Sequence, residues 1–323
     1  MIITLTANPC IDRTLRLDYE LRRGQFQRAT EVTDEAAGKG MNVATVLRDA
    51  DEPVVAVVAF ADPAYLNVGI ATGAVEPLVT LVRPGLRVRT NITLTEPDGT
   101  TTKINEPGPR LDADEVALAT DGLVHIVRQH KAEWVVLSGS LPPGAPVDWY
   151  VQIVRALRPT GCQTVVDASE QALSAVVDAL ASTPVGLLKP NLDELAQALG
   201  VAASDLQDAV DRGELDTVVA GARSLQERGV AEVLVTLGGA GAVLVTGEGA
   251  WHAEAPNIRV LSTVGAGDAA VAGYLLATRR GLGPAERLAY AVAYGSVAAA
   301  TPRSALGKPS SDDLRAVQAR RLD

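Results

Sequence analysis

Short apolar runs alternate with helical stretches along most of the chain, and this alternation constrains the fold more than any other feature of the sequence. The runs are rich in β-branched residues and bounded by turn residues, which is typical of buried parallel strands. They are Ile2–Leu5, Val54–Phe60, Trp134–Leu137, Thr164–Val166, Val185–Leu188 and Val233–Leu237. Helical patterns lie between them at Met41–Asp49, Asp114–His130, Asp148–Leu157, Gln171–Leu180 and Leu192–Leu199. Strands that alternate with helices predict an α/β fold in which helices flank a mainly parallel central sheet.

Two segments, residues 11–35 and 86–105, depart from this rhythm because polar and apolar positions alternate within them. The second reads as a strand, a Pro-Asp-Gly turn and another short strand. We predict half-exposed antiparallel strands that form a small sheet outside a main domain of residues 1–10, 36–85 and 106–323. Such a sheet would serve as a lid over the carboxyl edge of the main sheet, where ligands bind in open α/β folds. An edge hairpin without a role in binding is the alternative.

The charge balance narrows the classes of partner. The formal net charge is −10 and the pI is about 4.9, which argues against a nucleic-acid-binding protein, because such proteins need a basic face. The acidic balance also disfavours an anionic membrane surface, and no apolar run is long enough to span a bilayer. A small anionic substrate remains compatible, since helix dipoles and a few cations act locally. The two cysteines, Cys10 and Cys162, suit a reducing compartment, so we expect a cytoplasmic protein with no nucleic-acid or membrane partner.

The strongest candidate site is the sequence Gly265-Ala266-Gly267-Asp268, which we expect between a short strand at Arg259–Leu261 and a helix at Ala269–Thr278. Its two glycines let successive backbone N–H groups turn toward one point, and the helix dipole adds partial positive charge there. This combination suits an anion hole for a phosphoryl group in transfer. The dipole also favours an ionised Asp268, which could then accept a proton from a substrate hydroxyl. The alternative is an ordinary early-helix acid without a catalytic function.

The same stretch fits a dinucleotide-binding fingerprint, GxGxxA, but the βαβ context that such a site requires is missing. A second long helix, predicted at Pro284–Ala300, follows with no strand between the two helices. A nicotinamide-dependent oxidoreductase is therefore the weaker interpretation.

Two glycine-containing turns supply candidate substrate-binding groups. In the first, a lysine stands between two glycines near a helix start, and an asparagine that can hydrogen-bond sugar hydroxyls follows: Gly38, Lys39, Gly40 and Asn42. The second follows a buried strand and offers hydroxyl and N–H groups at the sheet edge where an α/β ligand would lie: Ser138, Gly139 and Ser140. The alternatives are a glycine turn with a solvated lysine and a rigid Pro-Pro turn.

Two further turns point to a nucleotide. Lys189 and Asn191 follow a strand, and Asn191 shares a helical face with Glu194, which suits a hydrated Mg²⁺ held by few oxygen ligands. An N-cap asparagine with a capping-box glutamate is the alternative. The other turn leads from a strand into glycines that could admit a nucleotide, or that simply connect two strands: Thr236, Gly238, Gly239 and Gly241.

With these motifs in this order and spacing, the chain resembles the ribokinase-like (PfkB) carbohydrate kinase family, especially its phosphosugar branch that contains 1-phosphofructokinase and tagatose-6-phosphate kinase. The matching segments are NPCID at 8–12, GKGMNVA at 38–44, RTNITL at 89–94, KINEPGP at 103–109, SGSLPPG at 138–144, KPNLDEL at 189–195, TLGGAGA at 236–242 and TVGAGDA at 263–269. The resemblance implies a ribokinase-like three-layer fold with a small β-sheet lid, and a homodimer that pairs through the lid.

The resemblance also implies a role for each matching residue. Asp12 and Asn42 would bind sugar hydroxyls, and Lys39, Arg89 and Ser140 would lie near the phosphate of the substrate. Asn191 and Glu194 would organise Mg²⁺, and the turn at Gly238 would border ATP. Gly265, Ala266 and Gly267 would form the anion hole, with Asp268 as the base.

The implied reaction is ATP-dependent phosphorylation of fructose 1-phosphate to fructose 1,6-bisphosphate, by attack of the C6 hydroxyl on the γ-phosphate. Tagatose 6-phosphate and fructose 6-phosphate are close alternatives as substrates. A non-catalytic sugar-phosphate-binding protein on the same fold is an alternative of another class. The chain departs from the family pattern at three places, and the third lies in a region that the resemblance places at the sugar pocket. Ala37 stands where a glycine is usual, Ala269 replaces a frequent serine, and Ala61-Asp62-Pro63-Ala64-Tyr65 replaces a glycine-containing turn.

Overall fold

The computed structural model describes residues 1–73, 77–82, 85–301 and 306–323. Within these residues, ten strands form one large sheet. Numbered along the chain, they are β1 (Ile2–Thr6), β4 (Val54–Val58), β5 (Leu78–Thr80), β8 (Trp134–Ser138), β9 (Gln163–Asp167), β10 (Val185–Leu188), β11 (Val230–Thr236), β12 (Ala242–Thr246), β13 (Gly249–Ala253) and β14 (Ala319–Arg321). Their spatial order is β14-β13-β12-β11-β10-β9-β8-β1-β4-β5.

Seven neighbouring strands of this sheet run parallel: β5, β4, β1, β8, β9, β10 and β11. Strands β12, β13 and β14 extend the sheet beyond β11 in antiparallel fashion. All six strands predicted from apolar runs lie in the parallel part, so the predicted fold class is confirmed. Every position of β1, β4 and β10 is buried, which means that both faces of the sheet are covered.

Helices cover the sheet in two groups. The helices are α1 (Lys39–Asp49), α2 (Pro63–Ala71), α3 (Ala113–His130), α4 (Trp149–Leu157), α5 (Glu170–Ala179), α6 (Leu192–Leu199), α7 (Ala203–Asp211), α8 (Asp216–Glu227), α9 (Ala266–Arg279), α10 (Pro284–Ala300) and α11 (Ser311–Ala316). Helices α1, α9 and α10 pack in succession, and α3 to α8 form a second packed series. None of the described helices has both the length and the apolar composition that a membrane span requires.

The prediction of a strand at Arg259–Leu261 is wrong. These residues are exposed and lie in no strand. The backbone N–H groups of Leu261 and Ser262 donate to the carbonyl oxygen of Ala299, at the end of α10, and not to a neighbouring strand. A short apolar run forms a buried strand only where the sheet offers it a partner.

A second, four-stranded sheet stands apart from the large one. Its strands are β2 (Cys10–Arg16), β3 (Glu31–Ala37), β6 (Arg89–Thr95) and β7 (Thr101–Asn105), in the order β3-β2-β6-β7. The pairs β2–β3 and β6–β7 are antiparallel as predicted, but β2 and β6 pair in parallel. The prediction of an entirely antiparallel sheet is therefore wrong for this one pair. Strands β2 and β6 are parallel because both leave the main domain in the same direction. The action of this sheet as a lid, and the division of the chain into domains, stay predictions.

Candidate active site

Several predicted site residues, among them Ser138, Lys189 and Thr236, lie where parallel strands end. Thr6, Ser138 and Asp167 are adjacent in register at the carboxyl ends of β1, β8 and β9. Lys189 directly follows β10, and Thr236 ends β11. In open α/β sheets this edge is where ligands bind.

The N-terminus of α9 carries the Gly-Ala-Gly-Asp sequence. Gly265 is the N-cap with φ of 80°, a left-handed conformation that favours glycine, and a Cβ there would lie 2.5 Å from Leu306 Cδ2. The helix begins at Ala266, three residues earlier than predicted, so Ala266, Gly267 and Asp268 form its first turn. The N–H groups of a first helical turn have no partner within the helix, and they form an anion site together with the dipole.

Asp268 is 5% exposed, and its Oδ2 accepts a hydrogen bond of 2.8 Å from Asn42 Nδ2. Burial, together with the negative charge of Asp167, raises the pKa of Asp268 to about 6, while Lys39, Asn42 and Lys189 act in the opposite direction. We expected the helix dipole to favour the ionised form of this carboxylate, and burial opposes that effect. The carboxylate is still mainly ionised at neutral pH, and a pKa near the operating pH suits a general base.

Asp167 is a central residue of the site that the sequence analysis missed. It is 1% exposed, and its Oδ1 lies 3.1 Å from Lys39 Nζ and 3.3 Å from Lys189 Nζ. Burial alone would raise the pKa of Asp167, but the two lysines hold it below its ordinary value. One feature of the sequence could have indicated it, namely an acidic residue that directly ends a buried strand of a parallel sheet.

The two lysines place positive charge beside the start of α9. A Cβ on Gly267 would lie 3.4 Å from Lys189 Nζ, so the ammonium group lies against the first turn of the helix. Burial alone would lower the pKa of Lys39, but Asp167, Asp268 and Glu194 raise it, so this side chain stays a cation. An anion at this helix end would therefore meet backbone N–H groups and two ammonium groups.

The glycines predicted for substrate binding are also required by packing. Gly38 is the N-cap of α1 with φ of 137°, and a Cβ there would lie 2.3 Å from Thr6 Cγ2. A Cβ on Gly40 would lie 2.6 Å from the carbonyl oxygen of Leu5. Gly139 has φ of 99°, donates its N–H to the carbonyl oxygen of Asp167, and passes close to the side chain of Lys39. These contacts connect the Ser138–Ser140 segment with the two lysines and their shared carboxylate.

A second group of side chains surrounds Arg89. Its guanidinium donates to the carbonyl oxygens of Glu106 and Asn8, at 3.2 and 3.1 Å, and to Ser140 Oγ at 3.4 Å. Among the described residues, the structure gives no carboxylate partner to this cation, and its Nε is buried without a hydrogen bond. The guanidinium therefore carries an uncompensated positive charge, which suits a phosphate.

Asp12 lies opposite Asn91 in the small sheet, where β2 pairs with β6. Its Oδ1 accepts hydrogen bonds from Asn91 Nδ2 at 3.0 Å and from Cys10 Sγ at 3.3 Å. These two donors fix the carboxylate, which is half-buried on the small sheet.

Asn191 and Glu194 form a capping box at the start of α6. Asn191 Oδ1 accepts the backbone N–H of Glu194 at 2.8 Å, and Glu194 Oε2 accepts that of Asn191 at 2.9 Å. This capping role does not exclude a metal, because Oε1 of the buried Glu194 stays outside the box. Asp167 Oδ2 is buried, and no described residue hydrogen-bonds to it. The described residues contain no metal-binding group of three or more His, Cys, Asp or Glu side chains. One or two carboxylates completed by water and phosphate oxygens nevertheless fit a hydrated Mg²⁺.

The glycine-rich turn after β11 lies beside the Lys189–Asn191 loop. The backbone N–H of Thr236 donates to the carbonyl oxygen of Pro190, and Thr236 forms an isolated bridge with Asn191. Gly238 has φ of 58°, a Cβ on Gly239 would meet open space, and one on Gly241 would lie 1.9 Å from the carbonyl oxygen of Ala253. The backbone forms the connection between β11 and β12 that we gave as the alternative, and the turn is open enough to border a ligand.

Taken together, the edge of the sheet combines a buried carboxylate of raised pKa with an anion-binding helix start and several cations. This set of groups can deprotonate a hydroxyl and stabilise a phosphoryl group in transfer.

Comparisons with known proteins point to the same chemistry. A family model described as pfkB family carbohydrate kinase matches residues 5–310. The 1-phosphofructokinase of Haloferax volcanii is 32% identical over 297 residues, which cover 89% of this chain and 87% of the relative. That of Xanthomonas campestris pv. campestris is 36% identical over 282 residues, which cover 84% and 82%.

Solved structures with the same fold include phosphofructokinase-2 from Escherichia coli in complex with fructose-6-phosphate. This structure is 25% identical, has a TM-score of 0.82, and covers 98% of this chain and 97% of its own. The tetrameric inhibited form of the same enzyme is 26% identical, with a TM-score of 0.81 and the same coverage.

Proposed function

The chain belongs to the pfkB family of carbohydrate kinases, and from this premise we propose that it transfers the γ-phosphoryl group of ATP to fructose 1-phosphate, giving fructose 1,6-bisphosphate. The relatives named 1-phosphofructokinase, at 32% and 36% identity, support this choice of acceptor. The observation that carries the proposal is the buried Asp268, which accepts a hydrogen bond from Asn42 at the anion-binding start of α9.

Asp268 accepts the proton of the C6 hydroxyl as that oxygen attacks the γ-phosphorus. The bond between the γ-phosphorus and the β,γ-bridging oxygen breaks, and ADP leaves with the electron pair. The proton then passes from Asp268 to solvent. The N–H groups of Gly265, Ala266 and Gly267 face the charge that develops on the transferring phosphoryl oxygens, which is where preorganised donors contribute most.

The acceptor is held at its two ends. Arg89 and Ser140 bind its phosphate, because the guanidinium has no carboxylate partner among the described residues. Asp12 and Asn42 bind sugar hydroxyls. Lys39 lies between the acceptor-binding residues and the base, Asp268. The residues around Lys39 are Gly38, Gly40, Ser138 and Gly139.

ATP borders the turn at Thr236, Gly238, Gly239 and Gly241, with Lys189 near its phosphates. Mg²⁺ would be held by Glu194 and Asn191 through water molecules, and when bound it would neutralise phosphate charge. Asp167 fixes the positions of both lysines, since each ammonium group lies within 3.3 Å of its carboxylate.

Fructose 6-phosphate and tagatose 6-phosphate are the second candidate acceptors, and a related structure was solved with fructose-6-phosphate. A non-catalytic sugar-phosphate-binding protein is disfavoured by the intact Asp268 and its anion-binding turn. We further propose that two copies pair through the small sheet, which closes as a lid. We also propose that the protein works in the cytoplasm, in keeping with Cys10 and Cys162, neither of which lies in a disulfide.

An ADP-release assay with fructose 1-phosphate, fructose 6-phosphate, tagatose 6-phosphate and free fructose tests the proposal. We expect the highest kcat/KM for fructose 1-phosphate and little turnover of free fructose, which cannot engage Arg89. A higher kcat/KM for either 6-phosphate would overturn the choice of acceptor. Absence of ADP release with every sugar would favour the non-catalytic alternative.

A further inference from the structure

The first turn of α2 connects the two chain segments that lead into the predicted acceptor-binding residues. α2 follows β4, whose carboxyl end lies at the same sheet edge as the site, through the buried residues Phe60 and Ala61. Its N-cap is Asp62, whose Oδ1 accepts the backbone N–H of Tyr65 at 2.8 Å. This turn replaces the glycine-containing turn that is usual in the family.

Asp62 has a second partner outside its own helix. Its Oδ2 accepts the backbone N–H of Val88 at 2.9 Å. Val88 is 2% exposed and directly precedes Arg89, the first residue of β6. One carboxylate therefore joins the helix start to the strand that carries the guanidinium.

Tyr65 makes the matching contact on the other side. Its side chain is fully buried, and its hydroxyl donates to the carbonyl oxygen of Ala37 at 3.3 Å. Ala37 ends β3 and directly precedes Gly38 and Lys39. Burial, with the nearby Cys10 and Asp12, raises the pKa of Tyr65, so the hydroxyl keeps its proton and acts as a donor.

These two contacts meet at one level of the small sheet. Cys10 of β2 is paired with Ala37 of β3 on one side and with Arg89 of β6 on the other. The start of α2 thus spans the root of the small sheet, where its strands leave the main domain. We propose that Asp62 and Tyr65 are positioning residues that fix the spacing between the Lys39 and Arg89 segments and so set the affinity for the phosphosugar. This inference rests on the proposed function, because it assigns the acceptor to these segments.

We call the two contacts Asp62–Val88 and Tyr65–Ala37 the brace. The substitution Asp62→Asn removes the contact with Val88 and keeps the helix cap. Its amide oxygen can still accept the N–H of Tyr65, and asparagine is as good an N-cap as aspartate. Its amide nitrogen cannot accept the N–H of Val88. Tyr65→Phe removes one hydroxyl and leaves the ring in the core. Thr72→Ala is the matched control, because it removes a hydrogen bond to Val68 at the exposed far end of the same helix.

We expect Asp62→Asn and Tyr65→Phe each to raise KM for fructose 1-phosphate about 2- to 12-fold, the effect of one hydrogen bond. KM for ATP should be nearly unchanged, and Tm should fall by no more than a few degrees. Thr72→Ala should leave both KM values unchanged. Equal KM values for the phosphosugar in all four proteins would overturn the inference, as would an equal rise in KM for ATP.

Hydrogen–deuterium exchange of peptides covering residues 36–42 and 88–95 gives a readout that needs no substrate. Exchange in 88–95 should be faster in Asp62→Asn, and exchange in 36–42 faster in Tyr65→Phe, than in the wild type or Thr72→Ala. Unchanged exchange in these peptides overturns the brace even if the wild type phosphorylates a different sugar. If the wild type uses no phosphoketohexose, the proposed function fails separately, and the exchange data still decide the brace.

Discussion

Asp268→Asn tests the base assignment most directly. The substitution removes the charge that would accept the proton and keeps the size of the side chain. The new amide oxygen can still accept the hydrogen bond from Asn42 Nδ2, which is 2.8 Å long in the wild type. The backbone N–H groups of the α9 start are untouched, so nucleotide affinity should stay near normal.

Two magnitudes follow from the structure. A positioned base typically contributes about 10²–10⁴-fold, so kcat should fall by that factor. Stability should move the other way. The pKa of Asp268 rises from 3.8 to about 6 on folding because of burial and Asp167, so the folded state holds its proton more tightly than the unfolded state does. The ionised carboxylate therefore destabilises the folded state by roughly 3 kcal/mol, a cost fully present above about pH 6 and lost progressively as the pH falls from about 6 to 3.8. At pH 7.5 the neutral amide should preserve or raise Tm.

The assay is single-turnover phosphoryl transfer at saturating substrates, with Tm measured at pH 7.5 and the nucleotide Kd measured separately. The wild type should also lose kcat/KM as the pH falls through about 6, because the base becomes protonated. Substrate phosphates titrate near the same pH, so the variant serves as the control. A fall of kcat/KM at low pH that is also seen in the residual activity of Asp268→Asn is due to the substrate. A fall that is seen only in the wild type is due to Asp268.

A variant that retains more than about a tenth of the wild-type kcat would refute the base assignment. A loss of kcat accompanied by a Tm several degrees below the wild type would instead show that the buried carboxylate supports the fold, contrary to the sign of its pKa shift.

Arg89→Ala should raise KM for the phosphosugar by roughly 10- to 150-fold, the effect of one lost charged hydrogen bond, with KM for ATP little changed; equal effects on both substrates would remove Arg89 from the phosphate site. Glu194→Gln should raise the Mg²⁺ concentration needed for half-maximal activity and lower kcat. Asp193→Asn, on the exposed side of the same helical turn, should do neither. A lower Tm with an unchanged Mg²⁺ dependence would leave Glu194 only its capping role. Gly241→Ala should cost about 1–3 kcal/mol of stability or more, because a Cβ would lie 1.9 Å from the carbonyl oxygen of Ala253 at φ of 92°; Gly239→Ala, which meets open space, is the control, and equal Tm values would contradict the clash.

The sequence was sufficient where local chemistry decides the structure. Apolar runs bounded by turn residues predict β1, β8 and β10 well, because a strand buried on both faces needs little more than that composition. The capping box at Asn191 and Glu194 is also a local pattern, and the structure contains it.

Features that depend on distant pairing could not be predicted in this way. Alternation of polar and apolar residues is the same in parallel and antiparallel strands, so it could not indicate that β2 and β6 pair in parallel. Asp167 belongs to no motif, and its importance arises only where the folded chain brings Lys39 and Lys189 to its carboxylate. The raised pKa of Asp268 depends on burial and on Asp167, neither of which is visible near residue 268 in the sequence.

The acidic composition of the chain and the anionic ligands of the proposed reaction are compatible because the two act over different distances. Exposed charges are screened by salt beyond roughly 8–10 Å, so a net charge of −10 spread over the surface has little effect inside the site. Lys189 is 4% exposed and lies against the first turn of α9, where screening is weak and the helix dipole adds to its charge. The carboxylate of Asp167 neutralises part of this positive charge. It also holds two ammonium groups, those of Lys39 and Lys189, at the site. The local arrangement at one sheet edge, and not the total charge, therefore decides which ligands this protein can bind.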